Sequence, residues 1–338
     1  MIPEMGRILF SWLKFPIILG SDVAGTVVDV GSAVTRFQSG DRVVAHALGF
    51  TNGASNSAEG AFQEFVLVRD HMAAAIPDHV RFEEAAVVPL GLSTAACGLY
   101  QRDHLAMALP RVEEGKKGEK GMEKEKTKAV LIWGGSTSVG ANAIQLAIAS
   151  GYEVFTTCSP HNFEFVKKLG ASRTFDYKER NVVDDIVGAF EGKDCAGALA
   201  IGDGSVGKCV DVAARCKGNK FVSMASLPIQ VDGLPDGLGA WVSLVFAFVT
   251  ANLRLWWRCK TKGVKTKFIF GSDLADNEVG KAVWVDFLGE AMKQGKFVPS
   301  PEPLVVPGKG LEKIQEAFEM QKKGVSARKI VVSLSGDD

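Results

Sequence analysis

The stretch from residue 129 to residue 162 constrains most what this chain can fold into. Residues 129–133 form a short apolar run, which is typical of a buried parallel strand, and two glycines end it. Apolar residues recur at helical spacing over 143–149, and residues 152–157 again have the pattern of a strand. A strand, a glycine turn, a helix and a second strand together predict a βαβ unit, in which a pyrophosphate rests on the helix N-terminus.

The glycine fingerprint of this turn is imperfect. At the G-x-G-x-x-G spacing the chain has Gly135, Thr137 and Gly140. Such a match is weak alone because glycine turns before helices are common, but the strands on both sides strengthen it. The stretch therefore predicts nucleotide binding. The residues expected to present backbone N–H groups and hydroxyls to the pyrophosphate are Ser136, Thr137, Ser138 and Val139.

Composition narrows the class of protein. The 338 residues suffice for two domains, and 39 basic and 39 acidic residues cancel, so nothing indicates a nucleic acid or an acidic membrane as partner. Six scattered cysteines with no C-x-x-C and no zinc-ligand spacing predict neither disulfides nor a structural zinc. Free thiols fit a reducing compartment, and without a signal-peptide pattern we expect a cytoplasmic protein.

The rest of the chain separates into two patterns. Short strands with glycine punctuation predict a small barrel over about the first 70 residues, at 17–19, 25–30, 42–47 and 60–68. Helices follow at 82–86 and 91–100.

Beyond residue 162 helices alternate with strands, which predicts a parallel, doubly wound sheet. The helices are expected at 163–169, 182–190 and 206–216, and the strands at 173–176, 197–201, 220–224 and 268–270. Amphipathic helices at 281–294 and 311–322 and a strand at 329–334 close the chain.

Two segments interrupt this pattern. The Lys- and Glu-rich run 111–128 is expected to be a solvated loop. Residues 237–253 are uncharged, apolar and followed by four basic residues. That stretch is shorter than the roughly 20 residues of a membrane span, so we favour a buried or partner-facing segment, with an interfacial helix and a true span as alternatives.

Five stretches of the chain resemble the medium-chain dehydrogenase/reductase superfamily. They are GSDVAGTVVDVGSAVTRFQSGDRVVA, EGAFQEFVLV, GLSTAACGLY, VLIWGGSTSVGANAIQLAIASGY and GLEKIQEAFEMQKKGVSARKIVV. Within the superfamily the chain is similar to the zinc-independent branch, particularly to fungal trans-acting enoyl reductases and to quinone oxidoreductases. Where zinc alcohol dehydrogenases carry Gly-His-Glu, this chain has Gly20, Ser21 and Asp22, so the ligand histidine is absent and no metal site is expected.

The resemblance implies an α/β protein with a GroES-like β-barrel and a Rossmann domain. The barrel is expected from residues 1–92 and 297–338, and the Rossmann, NADPH-binding domain from 93–296 with the linker 111–128 and an apolar insertion at 238–262. Family members carry a longer segment ahead of the first match, so we expect an incomplete barrel with a truncated N-terminus.

The choice between NADPH and NADH depends on the residues after the second strand. NAD-preferring sites place an acid there, whereas this chain has Ser159, Pro160, His161 and Asn162. These residues favour an anion and hence NADPH, although they would also cap the following helix. The resemblance adds further cofactor contacts, namely Tyr177 near the 2′-phosphate, with an ordinary core tyrosine as the alternative, and Ser226, Leu227, Val325 and Ser326.

The resemblance also implies where the substrate lies. The segment beside nicotinamide and substrate comprises Gly91, Leu92, Ser93, Thr94, Ala95, Ala96, Cys97 and Gly98. Thr94 is the best candidate for a catalytic hydrogen bond, whereas the other small residues fit helix packing equally well. None of the five histidines pairs with a nucleophile or a carboxylate at triad-like spacing.

The expected activity is a zinc-independent, NADPH-dependent reduction in which hydride passes to an α,β-unsaturated carbonyl. The substrate would be an enone, a quinone or an enoyl thioester, and a polyketide synthase is the expected macromolecular partner. A quinone reductase is one alternative, because one scaffold serves many chemistries. A catalytically silent protein that binds NADPH or docks to a partner is the other.

Overall fold

The structure is a computed structural model that describes residues 12–13, 15–51, 53–54, 56–112, 128–227 and 238–334. The predicted charged linker 111–128 lies outside the described residues except for its ends.

The N-terminal part is built on a small antiparallel sheet. Its strands, in spatial order, are β1 (Asp22–Thr26), β2 (Arg42–His46) and β3 (Ala73–Ala75). Two helices follow, α1 (Phe82–Ala85) and α2 (Pro89–Tyr100). β2 is buried along most of its length because it lies between two partner strands and under α2.

Two strands predicted for the barrel do not form. Residues 17–19 and 60–68 have no strand conformation. The two segments do meet, since Phe62 N–H donates to Leu19 O at 2.8 Å and Ala61 N–H donates to Gly20 O at 3.1 Å. The Gln63 amide, however, bonds the carbonyl oxygens of Ser57, Ala58 and Gly60, and these bonds fold the chain into turns instead of a longer ladder.

A six-stranded parallel sheet forms the centre of the molecule. Its strands are β4 (Lys128–Trp133), β5 (Glu153–Cys158), β6 (Arg173–Asp176), β7 (Asp194–Ala200), β8 (Phe221–Met224) and β9 (Lys265–Phe268). Their spatial order is β6-β5-β4-β7-β8-β9, with every neighbouring pair parallel. This is the order of a doubly wound dinucleotide-binding fold, so the predicted fold class is confirmed.

Both faces of this sheet are covered. The helices that connect its strands are α3 (Ser138–Ala149), α4 (Phe163–Lys168), α5 (Val182–Ala189), α6 (Ser205–Arg215) and α7 (Leu238–Lys262). In β4 the side chains alternate between two hydrophobic clusters, since Val130 and Ile132 pack with α3 whereas Leu131 packs with α5 and α6. A strand buried on both faces explains why residues 129–133 are continuously apolar.

The amphipathic helix predicted at 281–294 is irregular. It consists of α8 (Glu278–Gly280), a π-helical segment Lys281–Phe287, and α9 (Leu288–Lys293). The apolar stripe that makes this segment amphipathic, Val283, Phe287, Leu288 and Met292, is buried, and so is Trp284.

A second small sheet, formed by the C-terminal part of the described residues, lies beside α1. Strands β10 (Glu302–Lys309) and β11 (Arg328–Ser333) pair in parallel, and α10 (Ile314–Lys323) connects them. The hydroxyl of Ser333 bonds Glu83 of α1 at 3.1 Å, and Lys329 forms an ion pair with Asp22 of β1 at 2.8 Å.

Helix α7 is not buried along its length, so of the favoured prediction, a buried or partner-facing segment, the buried half is wrong. Its last third packs closely, with Cys259 buried against the core and Leu255 half-buried. Arg258 and Lys262 both bond the Asp211 carboxylate of α6. The outward side chains of α7 are apolar and exposed. No helix among the described residues is long and apolar enough to cross a membrane.

A buried hydrogen-bonded group joins three elements. The Ser93 hydroxyl of α2 lies 3.0 Å from His46 Nδ1 of β2 and accepts a hydrogen bond from Trp284 Nε1 at 3.1 Å. Burial lowers the pKa of His46 to about 4; the nearby Asp22 raises it and Lys329 lowers it further. The imidazole is therefore neutral at pH 7.

The first turn of α3 packs closely against the glycine turn that precedes it. A Cβ at Gly140 would lie 2.2 Å from the Gly134 carbonyl oxygen, closer than real contacts allow. By contrast, a Cβ at Gly188 of α5 would meet nothing within 4 Å.

We predict that Gly140→Ala lowers the free energy of unfolding by about 2 kcal/mol or more, because backbone must shift to admit the methyl group. Gly188→Ala is the matched control, and we expect it to stabilise the protein by roughly 0.5–1 kcal/mol through helix propensity. Denaturant titration of both variants measures these changes. Equal effects of the two substitutions would contradict the close contact at Gly140.

We also predict that stability falls with acid through His46. The folded pKa of about 4 lies below the unfolded value, so the neutral His46 contributes its full stability above about pH 6.5. This stability is lost as the pH falls through 6.5 towards 4, and the loss reaches about 3 kcal/mol. Denaturant titrations at pH 7 and pH 4.5 should show a smaller loss for His46→Asn than for the wild type. His79→Asn, at an exposed histidine, should leave the loss unchanged, and an unchanged loss in His46→Asn would rule out this origin.

Candidate active site

The predicted phosphate turn lies at the carboxyl end of β4, the central strand. Gly134 has φ +89°, which its lack of a side chain permits. The N–H groups of Gly134 and Gly135 both donate to Thr157 O, at 3.1 and 2.9 Å, and so join the turn to β5. Thr137 caps α3, since its Oγ1 accepts a hydrogen bond from Gly140 N–H at 3.0 Å and donates one to Gly134 O at 2.8 Å.

Three N–H groups at this helix end lack a protein acceptor in the described part of the chain. They belong to Ser136, Ser138 and Val139. Unpaired N–H groups and the positive end of a 12-residue helix suit an anion. The turn therefore fits the pyrophosphate of a dinucleotide, and the four residues predicted from the sequence lie together there.

The loop after β5 meets the C-terminal segment. Residues Pro160–Asn162 form one 3₁₀ turn, and His161 Nε2 lies 3.1 Å from Ser326 Oγ. Asn162 Nδ2 donates to the same hydroxyl at 3.1 Å. Thus the structure brings together two predicted cofactor-binding segments that are far apart in the sequence. Ala327, the residue after Ser326, has φ +48°, a conformation that is unfavourable for a residue with a side chain.

A carboxylate lies on the neighbouring strand. Asp176 of β6 is paired in register with Cys158, and burial together with the Asp176 charge raises the pKa of that thiol to about 11. Asp176 Oδ1 is already bonded by the N–H of Lys178 at 3.0 Å. The position directly after β5 remains Ser159, whose hydroxyl carries no charge.

Tyr177 is exposed, so it is not an ordinary core tyrosine. Its carbonyl accepts a hydrogen bond from Lys208 Nζ at 2.8 Å, and the same ammonium lies 5.4 Å from the centre of the Trp133 ring. Lys208 places a cation at the carboxyl edge of the sheet, near the end of β4. Lys208 was not predicted from the sequence, because nothing there distinguishes it from the other surface lysines of an amphipathic helix.

The remaining predicted cofactor contacts lie at loops. Ser226 Oγ accepts a hydrogen bond from Gly202 N–H at 2.8 Å and so joins the loops after β7 and β8. Leu227 is exposed and Val325 is half-buried. No described contact connects Leu227 with the His161 and Ser326 group.

The predicted substrate segment needs a correction. Of residues 91–98, only Thr94 is accessible to solvent, and the seven others are buried. Ser93 uses its hydroxyl within the core, and burial raises the pKa of the Cys97 thiol well above its ordinary range, which favours its neutral form. These residues shape the site by packing. Helix α2 is buried nearly all round, which its small residues allow.

The packing of α2 places Thr94 near the phosphate turn. A Cβ at Gly91 would lie 2.6 Å from Ser138 Oγ, so this glycine permits α2 to approach the N-terminus of α3. One helical turn further, a Cβ at Gly271 would lie 2.6 Å from Thr94 Oγ1. Thr94 therefore lies against the 271 loop, one helical turn from the contact of α2 with Ser138 of α3.

Asp22 positions α2. Its Oδ1 accepts a hydrogen bond from Leu90 N–H at 2.8 Å, and its Oδ2 accepts one from Lys329 Nζ, which also donates to Val87 O at 3.1 Å. These contacts occupy the carboxylate that stands where zinc enzymes have a glutamate. Within the described ranges, no group of three or more His, Cys, Asp or Glu side chains is arranged to hold a metal ion.

Comparison with known proteins agrees with this architecture. The family described as "Alcohol dehydrogenase GroES-like domain" matches residues 4–78. The dehydrogenase pigH of Monascus ruber is 49% identical over 338 residues, which covers 99% of this chain and 88% of that protein. The trans-enoyl reductase himH of Aspergillus japonicus is 36% identical over 328 residues, covering 96% of this chain and 82% of its own length.

Solved structures show the same fold at low identity. The CurK enoyl reductase has a TM-score of 0.66 at 19% identity, over 99% of this chain and 84% of that one. The sequence relatives and the fold together identify the chain: it belongs to the medium-chain dehydrogenase/reductase superfamily of oxidoreductases, and its relatives include fungal dehydrogenases and trans-enoyl reductases.

Proposed function

We propose that this protein is a zinc-independent, NADPH-dependent enoyl reductase. The observation that carries the proposal is the position of Thr94, the one accessible side chain of residues 91–98, on the helix that packs against the N-terminus of α3. A hydroxyl next to an anion-binding helix end suits a carbonyl substrate beside a nicotinamide. The trans-enoyl reductases among the relatives support the same reaction class.

The chain's own groups would bind the dinucleotide at two places. The N–H groups of Ser136, Ser138 and Val139 would bind the pyrophosphate. The cluster of polar side chains formed by His161, Asn162 and Ser326 would contact the 2′-phosphate, because the cluster offers hydrogen-bond donors and contains no carboxylate. When bound, NADPH supplies the hydride, so the protein needs to supply orientation, and a proton must reach the α-carbon.

The proton does not come from the histidine nearest α2. His46 is buried, and its pKa of about 4 leaves it neutral at pH 7. In this proposal the Thr94 hydroxyl donates a hydrogen bond to the substrate carbonyl, which favours negative charge on that oxygen in the transition state. Water then protonates the α-carbon. Asp22 acts indirectly, by fixing the N-terminus of α2 and with it Thr94.

The substrate in this proposal is an enoyl thioester, delivered by a polyketide synthase as the partner, and the reaction takes place without a metal ion. An enone or a quinone would fit the same half-exposed position, so all three classes belong in the test.

We predict that Ser136→Asp weakens NADPH binding by about tenfold or more, because a carboxylate would stand within a few ångströms of the pyrophosphate. The side chain of Ser136 is half-buried and makes no described hydrogen bond, so the change leaves the Thr137 cap intact. Fluorescence titration with NADPH measures the dissociation constant.

Ser136→Asn is the matched control for shape without charge, and it should keep the dissociation constant within about threefold. If the aspartate and asparagine variants bind NADPH equally well, the pyrophosphate does not lie at this turn.

We predict that the purified protein oxidises NADPH in the presence of an enoyl thioester and does so with a higher kcat/KM than with NADH. Parallel assays use a short enoyl thioester, a simple enone and a quinone. Turnover of quinone alone would replace the enoyl reductase with a quinone reductase. Tight NADPH binding without any turnover would support the catalytically silent alternative.

A further inference from the structure

The outward face of α7 is an exposed apolar stripe that the proposed reaction does not use. Its members recur at helical spacing along one face: Val242, Val245, Phe246, Val249, Leu253, Trp256 and Trp257. Phe246 is 70% exposed and Trp257 is 63% exposed. Scattered apolar side chains at a surface need no explanation, but a continuous stripe along a 25-residue helix does.

The inward face of α7 is fixed to the body of the protein. Cys259 is buried, and Asp211 of α6 bonds both Arg258 and Lys262. Burial of Asp211 opposes its ionisation, but the bonds from these two cations outweigh it and hold the pKa of the carboxyl below its usual value. This anchorage determines which face of the helix points outward.

The charges on α7 are all of one sign. The helix contains no aspartate or glutamate, and its basic residues are Arg254, Arg258, Lys260 and Lys262. Two of these bond Asp211, whereas Arg254 and Lys260 are exposed and make no described ion pair. Lys260 Nζ lies 4.9 Å from the Trp256 ring, so the cations and the paired tryptophans share the C-terminal end of the stripe.

We propose that α7 binds the surface of an anionic lipid membrane and lies in the plane of the interface. An apolar stripe inserts among acyl chains, tryptophans sit at headgroup depth, and lysine and arginine contact anionic headgroups. A second copy of the chain fits less well. Two α7 stripes packed together would place the unpaired cations against apolar or like-charged residues, with no acid on either helix to neutralise them.

The test is flotation of the full-length protein with vesicles of phosphatidylcholine alone and of phosphatidylcholine mixed with phosphatidylserine. We expect binding to the mixed vesicles only, weakening as salt is added. Arg254→Glu combined with Lys260→Glu should reduce binding at least tenfold, because each basic residue contributes about 1 kcal/mol at an anionic surface. Phe246→Ser combined with Trp257→Ser should reduce it by a similar factor.

Matched controls use exposed residues far along the chain from α7. Lys293→Glu with Lys309→Glu makes the same change in net charge, and Phe65→Ser with Leu67→Ser removes comparable exposed apolar area. Both controls should bind as the wild type does, and all variants should keep the melting temperature of the parent. Because the changed α7 side chains point outward, a folded variant is expected in each case.

Three outcomes would overturn the proposal. The first is no binding to the mixed vesicles, and the second is binding that the α7 variants leave unchanged. The third is a dimer in sedimentation that Phe246→Ser with Trp257→Ser dissociates, without any vesicle binding, which would assign the stripe to a second copy of the chain.

Discussion

The candidate site depends on one backbone contact, the approach of α3 to the Gly134 carbonyl oxygen. No residue other than glycine fits at position 140, because a Cβ there would lie 2.2 Å from that oxygen. The approach lets Thr137 bond both Gly134 and Gly140, so the turn and the first turn of the helix are held together. The helix N-terminus consequently stands directly over the end of β4, where its unpaired N–H groups can meet a phosphate.

The position of α2 follows from contacts at both of its sides. Gly91 allows it to pack against Ser138, whereas Asp22 and Lys329 hold its first turn to β1 and β11. The ion pair of Asp22 and Lys329 is half-buried, so the free energy gained from its additional hydrogen bonds is offset by the cost of desolvating both charges. Its effect is therefore to fix one position of α2 more than to add stability. The Ser93 group does the same for the middle of α2, because one hydroxyl bonds both His46 of β2 and Trp284.

Local patterns explain what could be predicted. The βαβ stretch, the parallel sheet and the fold class follow from apolar periodicity, because a strand covered on both faces and a helix with one buried face leave distinct signatures. The contact of His161 with Ser326 was not predicted: His161 was singled out from the residues after β5 and Ser326 from the family resemblance, and no local pattern relates residues so far apart. Ser93 could not be assigned to the core from its type, as a hydroxyl is buried only where partners such as His46 happen to lie.

Helix α6 shows why the remaining features escaped prediction. Lys208 and Asp211 lie one turn apart on it, and each is an ordinary charged residue in the sequence. In the structure Lys208 bonds the Tyr177 carbonyl at the cofactor edge, whereas Asp211 bonds two cations of α7. Their roles are set by partners on other elements, which periodicity does not reveal. The α7 stripe faces away from α6, so substitutions in the stripe leave the contacts of Lys208 and Asp211 in place. The proposed membrane binding and the proposed reduction can therefore be measured independently of each other on one folded chain.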